Sequence, residues 1–405
     1  MLILALGALL TAPAASAADR CSTLQSRLVR GGGEASGLFV LDAETGKVVC
    51  RRAPSRRFSL ASNMKLFTTG TAIARLGPNA RIPTKVEATG SIDEHGVLDG
   101  SLYLVGGGDP ALGTPSFYDR FLGGFGTNLY ALKGQIRAAG ISSVRGRLYA
   151  DDTIFDRLRG VPDSGYATSP YIGPLSGLAF DAGFSSSSAT SFATDPARVA
   201  ATKLARALDA DGVDVRPRIA LAKAPPDAET VAVVRSPTIA RIAQATNVPS
   251  NNYYAETLNK LLGARFGTSG STAAGAAVVT QYARSEGSYV HAVDGSGLTR
   301  TGKASTAEVA RFLRAVRGEP YGEDFVDSLA VAGREGTVAD RMEGTAAAGR
   351  CRVKTGTLTG VSALSGYCFN ADGRTMIFSI LMNGVRDLSL AHLEQDRIAA
   401  AVAGY

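Results

Sequence analysis

The sequence predicts a mixed α/β (α+β) protein: an antiparallel sheet with helices, interrupted by a β-rich inserted module. Three observations carry that reading. Strand-like runs stand near both chain ends, GLFVLDAETGKVVCRRAP at 37–54 and CRVKTGTLTG, VSALSGYCFNA and RTMIFSILMNG over 351–384. Helical spacing dominates the stretch that precedes the second group, from residue 237 onward. Between the two, from about 80 to 236, short strand-like runs alternate with Gly-, Pro- and Ser-rich breaks.

Residues 2–12, LILALGALLTA, form an apolar run too short to span a membrane comfortably. Ala15-Ser16-Ala17 follows as an A-x-A cleavage pattern, so residues 1–17 read as a secretory signal peptide with maturation near Ala18. No Lys or Arg precedes the run, which places the expected natural start upstream; a short hydrophobic anchor is the alternative. No later stretch resembles a transmembrane helix, so the mature chain is expected to be soluble or peripheral.

The run at 37–54 alternates about Glu44-Thr45-Gly46 and predicts a β-hairpin. From Ser62 the apolar residues Met64, Leu66, Phe67, Ala72, Ile73 and Leu76 predict a mostly buried helix, stopped by Gly77-Pro78. In the insert, TKVEATGSI, GSLYLVGGGDP, VRGRLYADDTIFD, VRPRIALAKA and TVAVVRSP read as strands. PARVAATKLARALDADG reads as a helix and 184–188 as a loop. Past 237 the helical pattern breaks at Pro249 and resumes; ASTAEVARFLRAVRGEP offers Ser305 or Thr306 as its N-cap. Three antiparallel strands and an amphipathic helix, DLSLAHLEQDRIAAAVAGY, close the chain. The expected organisation is thus 18–80 with 237–405 as one domain and 81–236 as the insert, with room for two nested parts.

At 405 residues, 45% hydrophobic and 20% charged, the chain has the composition of a globular protein with real cores, which excludes disorder and coiled coil. Its net charge of +7 is spread along the chain, with no basic patch interleaved with aromatics, so nucleic acid is not an expected partner. Cys21, Cys50, Cys351 and Cys368 suit two disulfides in an exported protein. Three connectivities are open, and nearness in sequence favours Cys21–Cys50 with Cys351–Cys368. There is no C-x-x-C, and His95, His291 and His392 stand in unlinked contexts, so neither a metal nor a cofactor is expected.

Chemistry begins at Ser62-Asn63-Met64-Lys65. A serine three residues ahead of a lysine puts hydroxyl and amine on adjacent turns of one helix face, a candidate nucleophile and base. Nine lysines make one such pairing unremarkable by itself. Two further stretches raise its weight: Ser250-Asn251-Asn252 after Val248-Pro249, and Lys354-Thr355-Gly356 opening a strand. Together they give SxxK, SxN and KTG in chain order, the set shared by penicillin-binding proteins and class A β-lactamases. Physically, a buried Lys65 near a second cation can act as a base. Lys354 stays charged and, with Thr355, binds a substrate carboxylate. Ser250 relays a proton, Asn252 orients Lys65 and the substrate amide, and the backbone N–H groups of Ser62 and Thr357 form an oxyanion hole.

The separation of 185 from Lys65 to Ser250 is too long for a compact β-lactamase. The chain resembles the D-alanyl-D-alanine carboxypeptidase/endopeptidase family of low-molecular-mass class C penicillin-binding proteins, the S13 serine peptidases. The resemblance rests on GGGDPAL (106–112), DDTIFD (151–156), SPYIGPLSGLAFD (169–181), VPSNNYYAETLNKLLG (248–263), VDGSGLTR (293–300), LAVAGREGTVADRM (329–342) and VKTGTLTGVSALSGY (353–367). It implies a β-lactamase/transpeptidase-like domain with an insert, facing the periplasm or cell wall. It further implies peptidoglycan stem peptides ending in D-Ala-D-Ala as substrates and β-lactam antibiotics as covalent inhibitors. Ser62 is then the acylated nucleophile, with Lys65, Ser250, Asn252 and Lys354 completing the site and Thr355, Gly356 and Thr357 binding substrate. Asp294–Gly297 reads as a structural turn.

A β-lactamase is the nearest rival, since it shares the acylation. Its class A deacylating Glu lies in E-x-x-L-N, and Glu256-Thr257-Leu258-Asn259 is one residue short of that pattern, which makes Glu256 a helix-surface or supporting feature. Penicillin is therefore expected to acylate Ser62 and leave slowly. A secreted SxxK esterase and a non-catalytic wall-binding protein are the remaining alternatives.

Overall fold

The computed structural model describes residues 17–121, 123–186, 188–215 and 219–405. The expected signal peptide lies outside the described residues apart from the backbone of Ala17, as do Ser187 of the expected loop and residues 216–218 of the run VRPRIALAKA.

The chain enters on helix α1 (Ala17–Gly32), which the sequence reading left unassigned. The hairpin follows as strands β1 (Ser36–Asp42) and β2 (Val48–Arg52), in antiparallel register with Val40 opposite Cys50. Cys50 is bonded to Cys21, which fastens α1 to the hairpin. A 3-10 turn, Ala61–Asn63, leads directly into helix α2 (Met64–Leu76). Ten of its thirteen residues are buried, and Gly77 ends it with a positive φ of 91° that an L side chain rarely adopts.

Residues 81–238 build a separate mixed sheet from β3 (Arg81–Ala88), β4 (Leu102–Val105), β5 (Leu148–Asp151), β6 (Ala220–Leu221) and β7 (Glu229–Thr238), in the order β6-β5-β4-β3-β7. β5 runs parallel to β4 and β6, while β3 is antiparallel to its neighbours β4 and β7. Parallel neighbours need a crossover. Helix α3 (Pro196–Ala210), capped by Asp195, lies in the β5–β6 connection and buries Ala200, Leu204 and Leu208. These join Val86, Leu102, Leu104 and Leu148 in a core of their own. A four-stranded sheet of short strands, Ser91–Ile92, Val97–Asp99, Ser143–Val144 and Asp214–Val215, accompanies it.

The chain then returns through α4 (Ile239–Asn247), α5 (Asn252–Phe266), α6 (Thr272–Ser285) and α7 (Thr306–Gly318). Ser305 caps α7 in a reciprocal capping box with Glu308. Strands β8 (Ala330–Val331), β9 (Cys351–Leu358), β10 (Val361–Phe369) and β11 (Thr375–Met382) complete the main sheet, and α8 (Leu388–Ala403) ends the chain. The sheet order is β8-β9-β10-β11-β1-β2, so the two chain ends pair through β1 and β11. Because side chains alternate between faces, Leu38 and Val40 pack with α1 and α8 while Phe39 and Leu41 join the core beneath α2 and α7. Sandwiched on both faces, β1, β10 and β11 carry nearly unbroken apolar runs. Cys351 and Cys368 stand opposite each other on β9 and β10 and are joined.

Candidate active site

Ser62 lies half-buried on the 3-10 turn where the α2 layer meets the edge of β9. Its predecessor Ala61 is held at φ 45°, a left-handed conformation that costs a non-glycine residue energy. Two contacts impose it. Gly297, itself at φ +81°, sits so close that a Cβ would meet the Ala61 carbonyl oxygen at 1.8 Å. On the other side, a Cβ on Gly356 would fall 2.9 Å from the Leu60 oxygen, 3.0 Å from the Ser62 nitrogen and 3.1 Å from the Asn63 nitrogen. The glycine of the KTG motif thus lets the strand backbone lie directly on the serine turn.

Lys65, one turn on and fully buried, donates to Ser62 Oγ at 2.8 Å, Asn252 Oδ1 at 2.7 Å and the Ser296 carbonyl at 2.9 Å. An ammonium has three hydrogens and all three are engaged. The neutral amine has two hydrogens and one lone pair. The Asn252 oxygen and the Ser296 carbonyl can only accept, so they claim both hydrogens and the lone pair is left facing Ser62. Burial pulls the Lys65 pKa down from 10.5 to about 7, against the opposing pull of Glu256 and Asp294. A neutral base is therefore accessible near physiological pH.

Asn252 is the first residue of α5, which Asn251 caps by accepting from the Tyr254 amide at 3.1 Å. Its Nδ2 donates at 3.0 Å to the carbonyl of Tyr171, a residue that is 73% exposed, so the segment SPYIGPLSGLAFD reaches the rim of the site. Ser250 is held at φ 61°, a second strained residue. Among the described residues its hydroxyl makes no hydrogen bond, so it does not join the Lys65 network.

Lys354 is fully buried on β9 and donates to the Thr355 carbonyl at 3.1 Å. Burial, with Lys65 as a second cation nearby, holds its pKa well below the usual lysine range. Burial thus works against the charge that the sequence reading gives Lys354. Thr355 shares a 2.7 Å hydrogen bond with the Thr337 hydroxyl, and Thr357 is exposed.

Several residues with a part in this geometry were not singled out from the sequence. Asn63, inside the SxxK motif, donates to the Lys354 carbonyl at 2.9 Å and ties serine turn to strand. Thr337 lies in LAVAGREGTVADRM, and its amide donates to the Val248 carbonyl, stitching that loop to the SxN turn. Glu256, which the sequence did single out as a helix-surface or supporting feature, takes the second of those places. It is fully buried and accepts from the Gly295 and Ser296 amides. The signal available was its position four residues after Asn252, on the same face of α5.

Serine, two lysines and an asparagine between an antiparallel sheet and a helical layer define a serine acyl-transferase of the β-lactamase/transpeptidase-like fold. The model of the D-Ala-D-Ala carboxypeptidase 3 (S13) family matches residues 22–194 and 186–403, and the chain belongs to that family. It is 30% identical over 456 residues to a D-alanyl-D-alanine carboxypeptidase of Actinomadura sp. (strain R39), covering 92% of this chain and 82% of that one. Among solved structures it superposes on penicillin binding protein 4 from Haemophilus influenzae with a TM-score of 0.76 at 19% identity, covering 95% of this chain and 99% of that one. A penicillin G-acylated predatory endopeptidase from Bdellovibrio bacteriovorus aligns with a TM-score of 0.57 at 20% identity, covering 89% and 90%. At those identities the structural likenesses speak to the fold.

Proposed function

We propose that the protein is a serine-type D-Ala-D-Ala carboxypeptidase, with endopeptidase activity on the related cross-links, that acts on peptidoglycan stem peptides through an acyl-enzyme at Ser62. The single observation that carries the reading is the Lys65 amine, whose two hydrogens are claimed by Asn252 and Ser296 so that its lone pair faces Ser62 Oγ. In the proposed sequence, Ser62 Oγ attacks the carbonyl carbon of the penultimate D-Ala as Lys65 takes the hydroxyl proton. The oxyanion is held by the Ser62 and Thr357 amides. The C–N bond then breaks, and the proton passes from Lys65 through Ser250 to the departing amine. Lys354 and Thr355 hold the terminal carboxylate of the leaving D-Ala. Water, deprotonated by Lys65, then cleaves the ester and regenerates Ser62.

A β-lactam would enter the same sequence, but its ring-opened amine stays tethered over the ester, which favours a persistent adduct. Fast turnover would need a carboxylate poised on water. Glu256 is a poor candidate, being fully buried and committed to two backbone amides.

Residues 81–236 are read as an inserted module that presents Tyr171 to the site. Two disulfides accord with an exported protein working in an oxidising compartment, the periplasm or the wall-facing exterior. Among the described residues no helix is long and apolar enough to cross a membrane.

Intact-protein mass spectrometry after brief exposure to benzylpenicillin, with D-Ala release from a stem pentapeptide, tests the reading. One adduct on the Ser62 peptide that persists for minutes is expected, together with D-Ala release; Ser62→Ala should show neither. Rapid penicillin turnover would instead identify a β-lactamase. Turnover of simple esters alone would point to an esterase, and no adduct with no peptidase activity would end the enzymatic reading.

A further inference from the structure

Helix α5 carries more of the site than its first residue. Glu256, one turn beyond Asn252, reaches the 294–297 turn and accepts from the Ser296 amide at 2.7 Å and the Gly295 amide at 3.1 Å. The carbonyl of that same Ser296 receives a hydrogen of Lys65. Asp294 fixes the turn from within, accepting from the Gly297 and Thr299 amides, each at 2.7 Å. Thr68, on the α2 turn after Lys65, donates to the Gly295 carbonyl at 2.7 Å. The turn has no room to drift: a Cβ on Gly295 would meet the Ala255 carbonyl oxygen at 2.5 Å. Sequence alone made DGSG a structural turn; the structure makes its backbone a partner of the base.

Resting on the acyl-transfer reading above, we propose that Glu256 is a positioning residue for acylation, acting with Asp294. Together they hold the Ser296 carbonyl against Lys65, which points the amine lone pair at Ser62, and they supply the buried counter-charge for the ammonium that forms there. The charge logic agrees. Burial, then Asp294, pushes Glu256 up to about 8, and burial raises Asp294 as well. Two carboxyls so enclosed share a proton more readily than both ionise, and Lys65 is the cation that faces them. The other charged groups around the pair and Lys65 are Lys354 on β9, near Lys65, and Lys260 one turn further along α5, which is engaged by Asp156.

The test is the pre-steady-state acylation of the full chain by benzylpenicillin, resolved into a saturation constant and a limiting rate across pH 5–9. Glu256→Gln keeps size and one acceptor oxygen but sets an N–H₂ against a backbone amide. It should lower the limiting rate roughly 10- to 100-fold with the saturation constant unchanged, because a misaimed base costs rate and not binding. Glu256→Gln combined with Asp294→Asn leaves Lys65 without a carboxylate partner and should move the acid limb of the rate to lower pH. Thr68→Val loosens the same turn from α2 and should give a smaller fall of about 3- to 10-fold, which keeps the idea testable if the α5 variants do not fold. A limiting rate within twofold of wild type in Glu256→Gln, or a saturation constant that weakens in proportion to the rate, would overturn the positioning role. Failure of the wild type to acylate would overturn the acyl-transfer reading instead.

Discussion

Lys65 holds three hydrogen bonds with no spare donor, so its protonation state decides whether Ser62 meets a base or a competing N–H. With its pKa held near 7, the amine form grows as pH rises through that value, so acylation should rise with it and, one pH unit below, run at about a tenth of its high-pH limit. Burial and the nearby Lys65 hold the Lys354 pKa well below the usual lysine range, so in its proposed role it loses its charge at lower pH than an ordinary lysine would. An acylation profile with a clear acid limb is expected with benzylpenicillin; a flat acid side would remove Lys65 as the base. Ser62, Lys65, Ser250, Asn252 and Lys354 stand out in the sequence because their spacing is the motif, and the structure joins Ser62, Lys65 and Asn252 by hydrogen bonds. The buried place of Glu256 does not stand out. Every residue of α5 from Tyr253 to Gly263 is buried, so no polar face exists against which periodicity could place a glutamate.

The KTG strand and the serine turn are two elements held at backbone contact, and Gly356 is the reason they can be. Gly356→Ala would set a methyl about 3 Å from backbone atoms of Leu60, Ser62 and Asn63 at once, and none of these is a flexible side-chain end. The strand must shift, and with it the amide of Thr357. Acylation should fall roughly 100-fold, the scale of a 1 Å misplacement, with the fold retained. Wild-type acylation in this variant would show that strand and turn tolerate separation. The disulfide between β9 and β10 constrains the same strand. Its closed loop of 17 residues corresponds to about 3 kcal/mol in the chain-entropy account. Cys351→Ser with Cys368→Ser should lower the urea midpoint accordingly. The strands were legible because their apolar runs are long and bounded by turns. Helix α1 was not, since it begins where the expected signal peptide ends and shows only a narrow apolar stripe of Leu24 and Leu28.

At the scale of the whole molecule, the alternation of short strands with breaks marked residues 81–236 as different in texture but not how they meet the rest. The segment has its own core, yet Ala111, Phe155, Val161, Ile172, Leu175 and Ala179 belong to the core beneath α2. Such long-range contacts leave no local periodicity to read. The junction is polar as well as apolar. Lys260 of α5, fully buried, donates to Asp156 at 2.5 Å and to the Leu158 carbonyl at 2.7 Å. Arg159 then donates to the Leu175 carbonyl at 2.7 Å and pairs with Asp152, which also accepts from Ser176. This chain of bonds fixes the 169–176 segment, whose Tyr171 carbonyl holds Asn252. Lys260→Met keeps the apolar stem and removes the latch. Asp156 is 29% exposed and can rehydrate, so the stability cost should be about 1–3 kcal/mol, below that of an unpaired charge in a sealed core. The functional effect should depend on substrate size. In the proposed function a stem peptide lies along the segment that carries Tyr171, whereas benzylpenicillin relies chiefly on Ser62, Lys65 and the KTG strand. Turnover of the pentapeptide should therefore fall about tenfold while penicillin acylation stays within about threefold, since positioning by a distant element acts on the part of the substrate it touches. Equal losses on both substrates would mean that the latch supports the catalytic centre as a whole and not the rim of the site.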